Sequence, residues 1–242
     1  MVTGSDHTSK RRVLVTGAGS GTGRAVAEAL AATHDLVLLG RRADRLAEAA
    51  DAARAAGAAV TARAFDVTAD DPRALLDEIG PVDDLVLSAG LNAPRRAWAD
   101  QRMDEFEAIV ATNLTAPARM IDAALPALRA ASGTVVIVSS IAAWTTSPGA
   151  GVAYRASKRG LRALSDSLNE QEAAHGVRAS IVCPGDIDTE FLRQRPNPPR
   201  GAALDVMLSP ADVARAIRFI LDSPPHVRID ELVISPLSTV AR

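Results

Sequence analysis

The chain has 242 residues, 48% of them hydrophobic, which suffices for the core of one large domain. A formal net charge of −2 and an aromatic content of 3% argue against nucleic acid and against an anionic membrane surface, because neither a basic field nor a base-stacking platform is available. Cys183 is the single cysteine, so no intrachain disulfide can form and a reducing, cytoplasmic setting is expected.

Residues 1–11 are polar, lack the apolar stretch of a signal peptide, and are expected to form a flexible tail ahead of one domain over residues 12–242. The Lys10-Arg11-Arg12 triplet at its end reads as a solvated charge cluster. No run approaches the ~18 apolar residues of a membrane span. Val13–Val15 reads as a short buried strand, Arg24–Ala32 as a helix, Leu36–Leu39 as a strand, and Ala43–Ala56 as a helix stopped by Gly57. Val60–Phe65 follows as a strand, Pro72–Ile79 as a helix and Leu85–Leu87 as a strand. Asp104–Leu128 reads as a long helix interrupted or bent near Pro117, and Val135–Val138 as a strand. The last elements are a helix over Tyr154–Ala174, a strand over Ala179–Val182, a helix over Pro210–Leu221 and a strand over Glu231–Ile234.

Short, continuously aliphatic strands are buried on both faces, as in parallel sheets. Their alternation with helices implies right-handed βαβ units. The expected fold is therefore a doubly wound α/β domain, a Rossmann-type parallel sheet of about seven strands with helices on both faces. Such sheets bind ligands beyond the carboxyl ends of their strands, so the chemistry should lie just after each strand.

After the first strand comes Thr16-Gly17-Ala18-Gly19-Ser20-Gly21-Thr22-Gly23, then a helix. Glycines let a phosphate approach the backbone, and a helix N-terminus offers unpaired N–H groups to it. The pattern G-x-G-x-x-G fails at Thr22, and a kinase-like loop fails because no lysine follows. What fits is T-G-x-x-x-G-x-G on Gly17, Gly21 and Gly23. That form resembles the short-chain dehydrogenase/reductase family in its compact single-domain branch. The resemblance covers residues 12–235 and implies that Gly17, Ser20, Gly21, Thr22 and Gly23 hold a dinucleotide pyrophosphate.

The second strand is followed by Gly40-Arg41-Arg42, where an NAD-preferring fold places a carboxylate for the ribose 2′-hydroxyl. Gly40 removes that carboxylate, and Arg41, with Arg42, can hold a 2′-phosphate by charge-assisted bonds. NADP(H) is therefore expected over NAD(H), with Arg41 the stronger candidate. By resemblance, Asp66 accepts from the adenine amino group with Val67 packed nearby, and Ala89 and Gly90 let the backbone approach the cofactor ribose. The family carries N-A-G at 88–90, where this chain has Ser88. After the sixth strand, the family's P-G-x-x-x-T corresponds to Pro184, Gly185 and Thr189, with backbone at Ile187 toward the carboxamide.

Tyr154 and Lys158 form Y-x-x-x-K and share one helix face. A phenol has a pKa near ~10, and an adjacent ammonium favours its ionised form. Such a phenol exchanges a proton with a developing alkoxide. Ser139 and Ser140 directly follow the fifth strand; the resemblance selects Ser140 as the substrate-orienting hydroxyl, although its 14 positions to Tyr154 exceed the family's commonest spacing by one. Asn113, polar among aliphatic residues in the long helix, completes the implied tetrad as a relay residue toward Lys158. Asn113, Tyr154 and Lys158 also face the cofactor by resemblance. Cys183 reads as a packing residue, and no metal site is expected.

The resemblance implies a carbonyl or alcohol substrate and a homodimer or homotetramer. Residues 190–208, rich in proline and arginine, are expected to form a lid. Their arginines, Arg193, Arg195 and Arg200, read equally as carboxylate ligands or as solvated charge. Trp98 and Trp144 read as pocket, interface or core residues. A non-catalytic dinucleotide sensor is the alternative function, and it would not require the Tyr-Lys pair.

Overall fold

The computed structural model describes residues 10–237, so residues 1–9 of the expected tail lie outside the described residues. Seven strands form a single parallel sheet in the order β3-β2-β1-β4-β5-β6-β7. They are β1 (Arg12–Thr16), β2 (Asp35–Gly40), β3 (Val60–Ala64), β4 (Asp84–Leu87), β5 (Thr134–Val138), β6 (Arg178–Pro184) and β7 (Glu231–Ile234).

Alternate residues of β1, β2, β4, β5 and β6 feed two cores. Val13, Val15, Leu36, Leu38, Val136 and Val182 pack under α1 (Gly21–Leu30), α2 (Ala43–Ala55) and, toward the far edge, α8 (Pro210–Leu221). Leu14, Val37, Leu39, Leu85, Val135 and Ile137 face α3 (Pro72–Ile79), α5 (Ala116–Ala131) and α7 (Val152–Glu172) on the other side. Period-2 alternation in a strand with both faces covered is what makes its sequence continuously apolar.

The long helix is interrupted near Pro117, as expected: α4 (Met103–Val110) and α5 are joined by a π-helical turn at Ala111–Thr115. The backbone runs helically through Thr115 and Ala116 into Pro117, which has no N–H to offer the Asn113 carbonyl four residues back. Two expectations change. The Lys10-Arg11-Arg12 triplet is not solvated charge: Arg11 pairs with the buried Asp84 at 2.7 Å, Arg12 donates to the Ile79 carbonyl at 2.7 Å, and Lys10 donates to the Gly57 carbonyl at 2.7 Å. Asp84 also accepts from the Thr134 N–H at 2.7 Å, so this carboxylate ties the chain's entry into β1 to β4 and β5. Neither tryptophan belongs to the core, since Trp98 is 80% and Trp144 56% exposed.

The register sets Thr16 level with Leu39 and Leu87, and Ile137 level with Leu87 and Ile181. The carboxyl ends of the strands therefore share one edge. The chain leaves β3 at one side of the sheet and re-enters at β4 beside β1, which puts a crevice between the β1 and β4 ends.

Candidate active site

The glycine loop turns off the end of β1, and α1 begins at Gly21, earlier than the helical periodicity alone locates it. Gly17 and Gly21 have φ of +69° and +51°, a region that L side chains rarely adopt. Gly23 is held by space instead: a Cβ there would lie 2.4 Å from the Gly17 carbonyl oxygen and 2.7 Å from Ser88 Oγ. Ser88 explains itself in this setting. Its hydroxyl donates to the Thr16 carbonyl at 2.6 Å, while Thr16 Oγ1 accepts from the Ser88 and Ala89 N–H groups at 3.1 and 3.2 Å. These bonds sew the end of β4 to the end of β1, directly beneath the loop. Ser20 is the extended residue before α1, and Thr22 lies in its first turn. The first N–H groups of a helix have no intrahelical acceptor, so the cradle suits a pyrophosphate in shape and polarity.

Arg41 and Arg42 are exposed beyond β2. Arg42 is turned to Glu190 at 3.2 Å, whereas the charge of Arg41 reaches Asp66. Hydrogen bonds from the Thr68 hydroxyl and backbone, and then Arg41, hold the Asp66 carboxyl below the usual carboxylate range. Val67 and Ala89 share an apolar niche with Thr16, Thr112 and Met120. Thr189 stands over the loop, its methyl 3.3 Å from where a Gly21 Cβ would be. Pro184 ends β6, and the Gly185 N–H donates to the Ile234 carbonyl at 2.7 Å. Ile187 bridges to Leu208.

Ser140, Tyr154 and Lys158 converge beyond β5. Ser140 precedes the short helix α6 (Ile141–Trp144), where its hydroxyl accepts from the Ala142 N–H at 3.1 Å and stands close enough to the Tyr154 phenol to favour its ionised form. Ser139 points elsewhere, and its buried hydroxyl donates to the Lys158 carbonyl at 3.0 Å. Geometry thus separates the two serines. Lys158 Nζ donates to the Val138 carbonyl at 2.8 Å and lies 5.8 Å from the centre of the Tyr154 ring.

Asn113 is fully buried in the π-helical turn, a feature that often marks functional sites. Its Oδ1 accepts from the Leu91 N–H at 2.7 Å, and its Nδ2 donates to the Leu91 carbonyl at 2.9 Å and to Ser157 Oγ at 3.2 Å. Ser157 in turn donates to the Tyr154 carbonyl at 2.9 Å. Gly90 separates Asn113 from Lys158: a Cβ there would be 3.7 Å from Asn113 Oδ1 and 3.9 Å from Lys158 Nζ.

Burial pushes the Tyr154 phenol above its ordinary value of 10.0, against the pull of Ser140, Arg195 and Arg96. The phenol is therefore protonated at neutral pH and can donate. Burial lowers Lys158 from 10.5 to about 8. Between those values the unfolded chain binds a proton that the folded chain does not, so this group's contribution to stability rises with pH across that window. Below pH 8 both states are charged and the folded one carries the full desolvation cost, up to about 3 kcal/mol. Lys158→Met should accordingly raise Tm most at pH 8 and below, less the lost bond to Val138, and the gain over wild type should shrink toward pH 10.5. A Tm difference that stays flat over that range would refute the assignment. Cys183 is buried, with its thiol pushed up to about 11 by burial and by Glu231 at 3.6 Å. It fits packing and not nucleophilic attack.

Three residues of the site escaped the sequence patterns. Arg45 has its Cβ 3.2 Å from where a Gly19 Cβ would be, and its position in the first turn of α2 was the available signal. Phe191 places its ring 6.0 Å from that of Tyr154. Arg96 lies against Gly151 at the start of α7. For these two no local pattern exists, because distant loops bring them in. Among the described residues, no group of three or more His, Cys, Asp or Glu side chains is arranged to hold a metal ion, and no helix is long and apolar enough to cross a membrane.

A glycine cradle at the β1–β4 crevice, next to a Ser-Tyr-Lys cluster after β5, defines a dinucleotide-dependent dehydrogenase class. The short chain dehydrogenase family model matches residues 11–199, and the chain belongs to that family. It is 35% identical over 243 aligned positions to the glycine betaine reductase of Emericella nidulans; the alignment covers 94% of this chain and only 19% of that longer protein. It is 34% identical to an uncharacterised oxidoreductase of Mycobacterium tuberculosis over 197 positions, 76% of each chain. Among solved structures, an alcohol dehydrogenase of Thermococcus sibiricus complexed with 5-hydroxy-NADP superposes with a TM-score of 0.83 at 28% identity, covering 95% of this chain and 97% of that one. The closed form of a serine dehydrogenase complexed with NADP+ gives 0.83 at 28%, covering 94% and 95%.

Proposed function

We propose that the chain is an NADP(H)-dependent oxidoreductase that moves a hydride between the nicotinamide and a carbonyl/alcohol substrate. The observation that carries this is the convergence of Ser140, Tyr154 and Lys158 beyond β5, beside a loop with no room for a side chain at Gly23. When bound, the dinucleotide supplies or accepts the hydride.

The chain does the rest. Gly17, Ser20, Gly21, Thr22 and Gly23 hold the pyrophosphate through backbone N–H groups at the start of α1. Arg41 takes the 2′-phosphate, and Arg42 contributes only by leaving Glu190. Asp66 and Val67 bound the adenine, Ala89 and Gly90 the ribose, and Pro184, Gly185, Ile187 and Thr189 the nicotinamide end. Ser140 orients the substrate oxygen, and Tyr154 gives that oxygen a proton in reduction or removes one in oxidation. Lys158 favours the ionised phenol and holds the ribose; Asn113 acts through Leu91 and Ser157 to position this helix face. Residues 190–208 cover the substrate, and the working protein is a homodimer or homotetramer.

Fluorescence titration checks the cofactor. NADPH should bind more tightly than NADH, and Arg41→Asp should weaken NADPH by about 10–100-fold, the range for a hydrogen bond to a charged group. Equal binding of the two dinucleotides would remove the 2′-phosphate site. Failure to bind either would remove the function itself.

A further inference from the structure

The segment that follows β6 meets the dinucleotide cradle through consecutive residues. Thr189 rests on the glycine loop, its methyl 3.3 Å from where a Gly21 Cβ would be. Glu190 reaches the loop after β2 and accepts from Arg42 Nη1 at 3.2 Å. Phe191 reaches the catalytic cluster, with its ring 6.0 Å from that of Tyr154 and 3.9 Å from where a Gly90 Cβ would be. Leu192 is buried, and its N–H donates to the Thr189 carbonyl at 3.0 Å, which ties down the turn that carries Glu190. The arginines of the segment take no part in this contact: Arg195 forks onto Asp186, and Arg193 and Arg200 are exposed.

Arg42 is held from its own side as well. It precedes α2, and its carbonyl accepts from the Leu46 N–H at 3.0 Å. Its neighbours on both sides close on the glycine loop: a Gly40 Cβ would lie 3.7 Å from the Gly19 nitrogen, and the Arg45 Cβ lies 3.2 Å from where a Gly19 Cβ would be. A dinucleotide fold that prefers NAD places a carboxylate after its second strand. Gly40 leaves this strand without one, yet the fold returns a carboxylate to the same place from a distant part of the chain, on a guanidinium suited to the 2′-phosphate. Arg42 and Glu190 are each 49% exposed, and an ion pair so open to water is weak. A phosphate, which a guanidinium grips through paired charge-assisted hydrogen bonds, can displace the carboxylate, but it must break the pair to do so.

We propose that Glu190 is a specificity residue for the dinucleotide: it competes with the 2′-phosphate of NADP(H) for Arg42 and so narrows the preference for NADPH over NADH. The inference rests on the NADP(H) function proposed above. NADH carries a hydroxyl in place of the phosphate and leaves the Arg42–Glu190 pair intact, whereas NADPH binds with the pair broken. Selectivity at this site is therefore the difference between what the phosphate gains from Arg41 and Arg42 and what the lid's carboxylate withholds.

The test is fluorescence titration of the full chain with NADPH and with NADH, for wild type, Glu190→Gln, Arg42→Gln and the double variant. Glutamine keeps the size of the side chain and removes its charge, and at a half-exposed position it leaves folding unchanged. Glu190→Gln should tighten NADPH by about 3–5-fold, the upper range for an exposed ion pair that no longer has to be broken. NADH should stay within about 1.5-fold of wild type, because it never breaks the pair. Added salt should reduce the gain, and in the Arg42→Gln background Glu190→Gln should change NADPH by less than about 1.5-fold. NADPH affinity that is unchanged or weaker in Glu190→Gln, an equal gain for NADH, or a gain that persists in full without Arg42 would each overturn the competition and leave the dinucleotide site standing. Binding of neither dinucleotide to wild type would overturn the site and the inference together.

Discussion

Tyr154→Phe should leave NADPH binding in place and lower kcat by about 10²–10⁴-fold, the contribution expected of a positioned proton donor. The substitution removes one oxygen from a ring whose packing against Phe191 is unchanged. What disappears is the O–H near Ser140 that, in the proposed reaction, serves the substrate oxygen. The Lys158 bond to the Val138 carbonyl is untouched, so the helix face is preserved. Steady-state NADPH oxidation, measured alongside the dissociation constant, separates the two effects. A variant that binds and turns over like wild type would take proton transfer away from this residue. Wild-type protein that binds NADPH yet reduces none of the ketones tested would favour the dinucleotide sensor.

Gly23→Ala should destabilise the protein by about 1–3 kcal/mol, the usual cost of forcing a methyl group into filled space, and should abolish tight NADPH binding. The new carbon would overlap the Gly17 carbonyl at 2.4 Å, and that carbonyl has little freedom to retreat. Gly17 is itself wedged against Ala89, whose Cα lies 3.0 Å from where a Gly17 Cβ would be, and its φ is +69°. Relief therefore means moving the loop that is to carry the pyrophosphate. Gly149→Ala is the matched control, since nothing lies within 4 Å of its Cβ position; it should stay within about 0.5 kcal/mol of wild type. Tm and NADPH affinity of the two variants give the comparison, and equal behaviour would show that the close approach at Gly23 is not limiting.

Much of the fold was legible because its causes are local. A strand covered on both faces must be aliphatic, and Val13–Val15 and Val135–Val138 say so directly. The glycine loop and the Tyr154–Lys158 pair were equally plain, since each is a short-range pattern on one element. Pro117 marked the neighbourhood of the helix interruption, but the π-helical form of the turn around Asn113 was not legible, because no residue type specifies the extra residue that such a turn inserts. Arg11 was misjudged for a related reason: a charge beside a strand looks solvated until the fold supplies Asp84, 73 positions away. Phe191 and Arg96 reach Tyr154 only through tertiary structure, so no spacing in the chain announces them.

The segment carrying Phe191 and Arg195 is closed at its base. The Asp188 N–H donates to the Leu208 carbonyl at 2.9 Å, and the Leu208 N–H donates to the Asp186 carbonyl at 3.0 Å. Between those bonds the segment also touches the rest of the molecule, through Glu190 to Arg42, Phe191 to Tyr154 and the buried Leu192. Closing a longer loop on a fixed stem adds only about 0.6 kcal/mol for each doubling of length. If residues 190–207 cover the substrate as proposed, a graft onto this stem that keeps Phe191 and Leu192 should change the chemical preference of the enzyme while the parallel sheet folds as it does now.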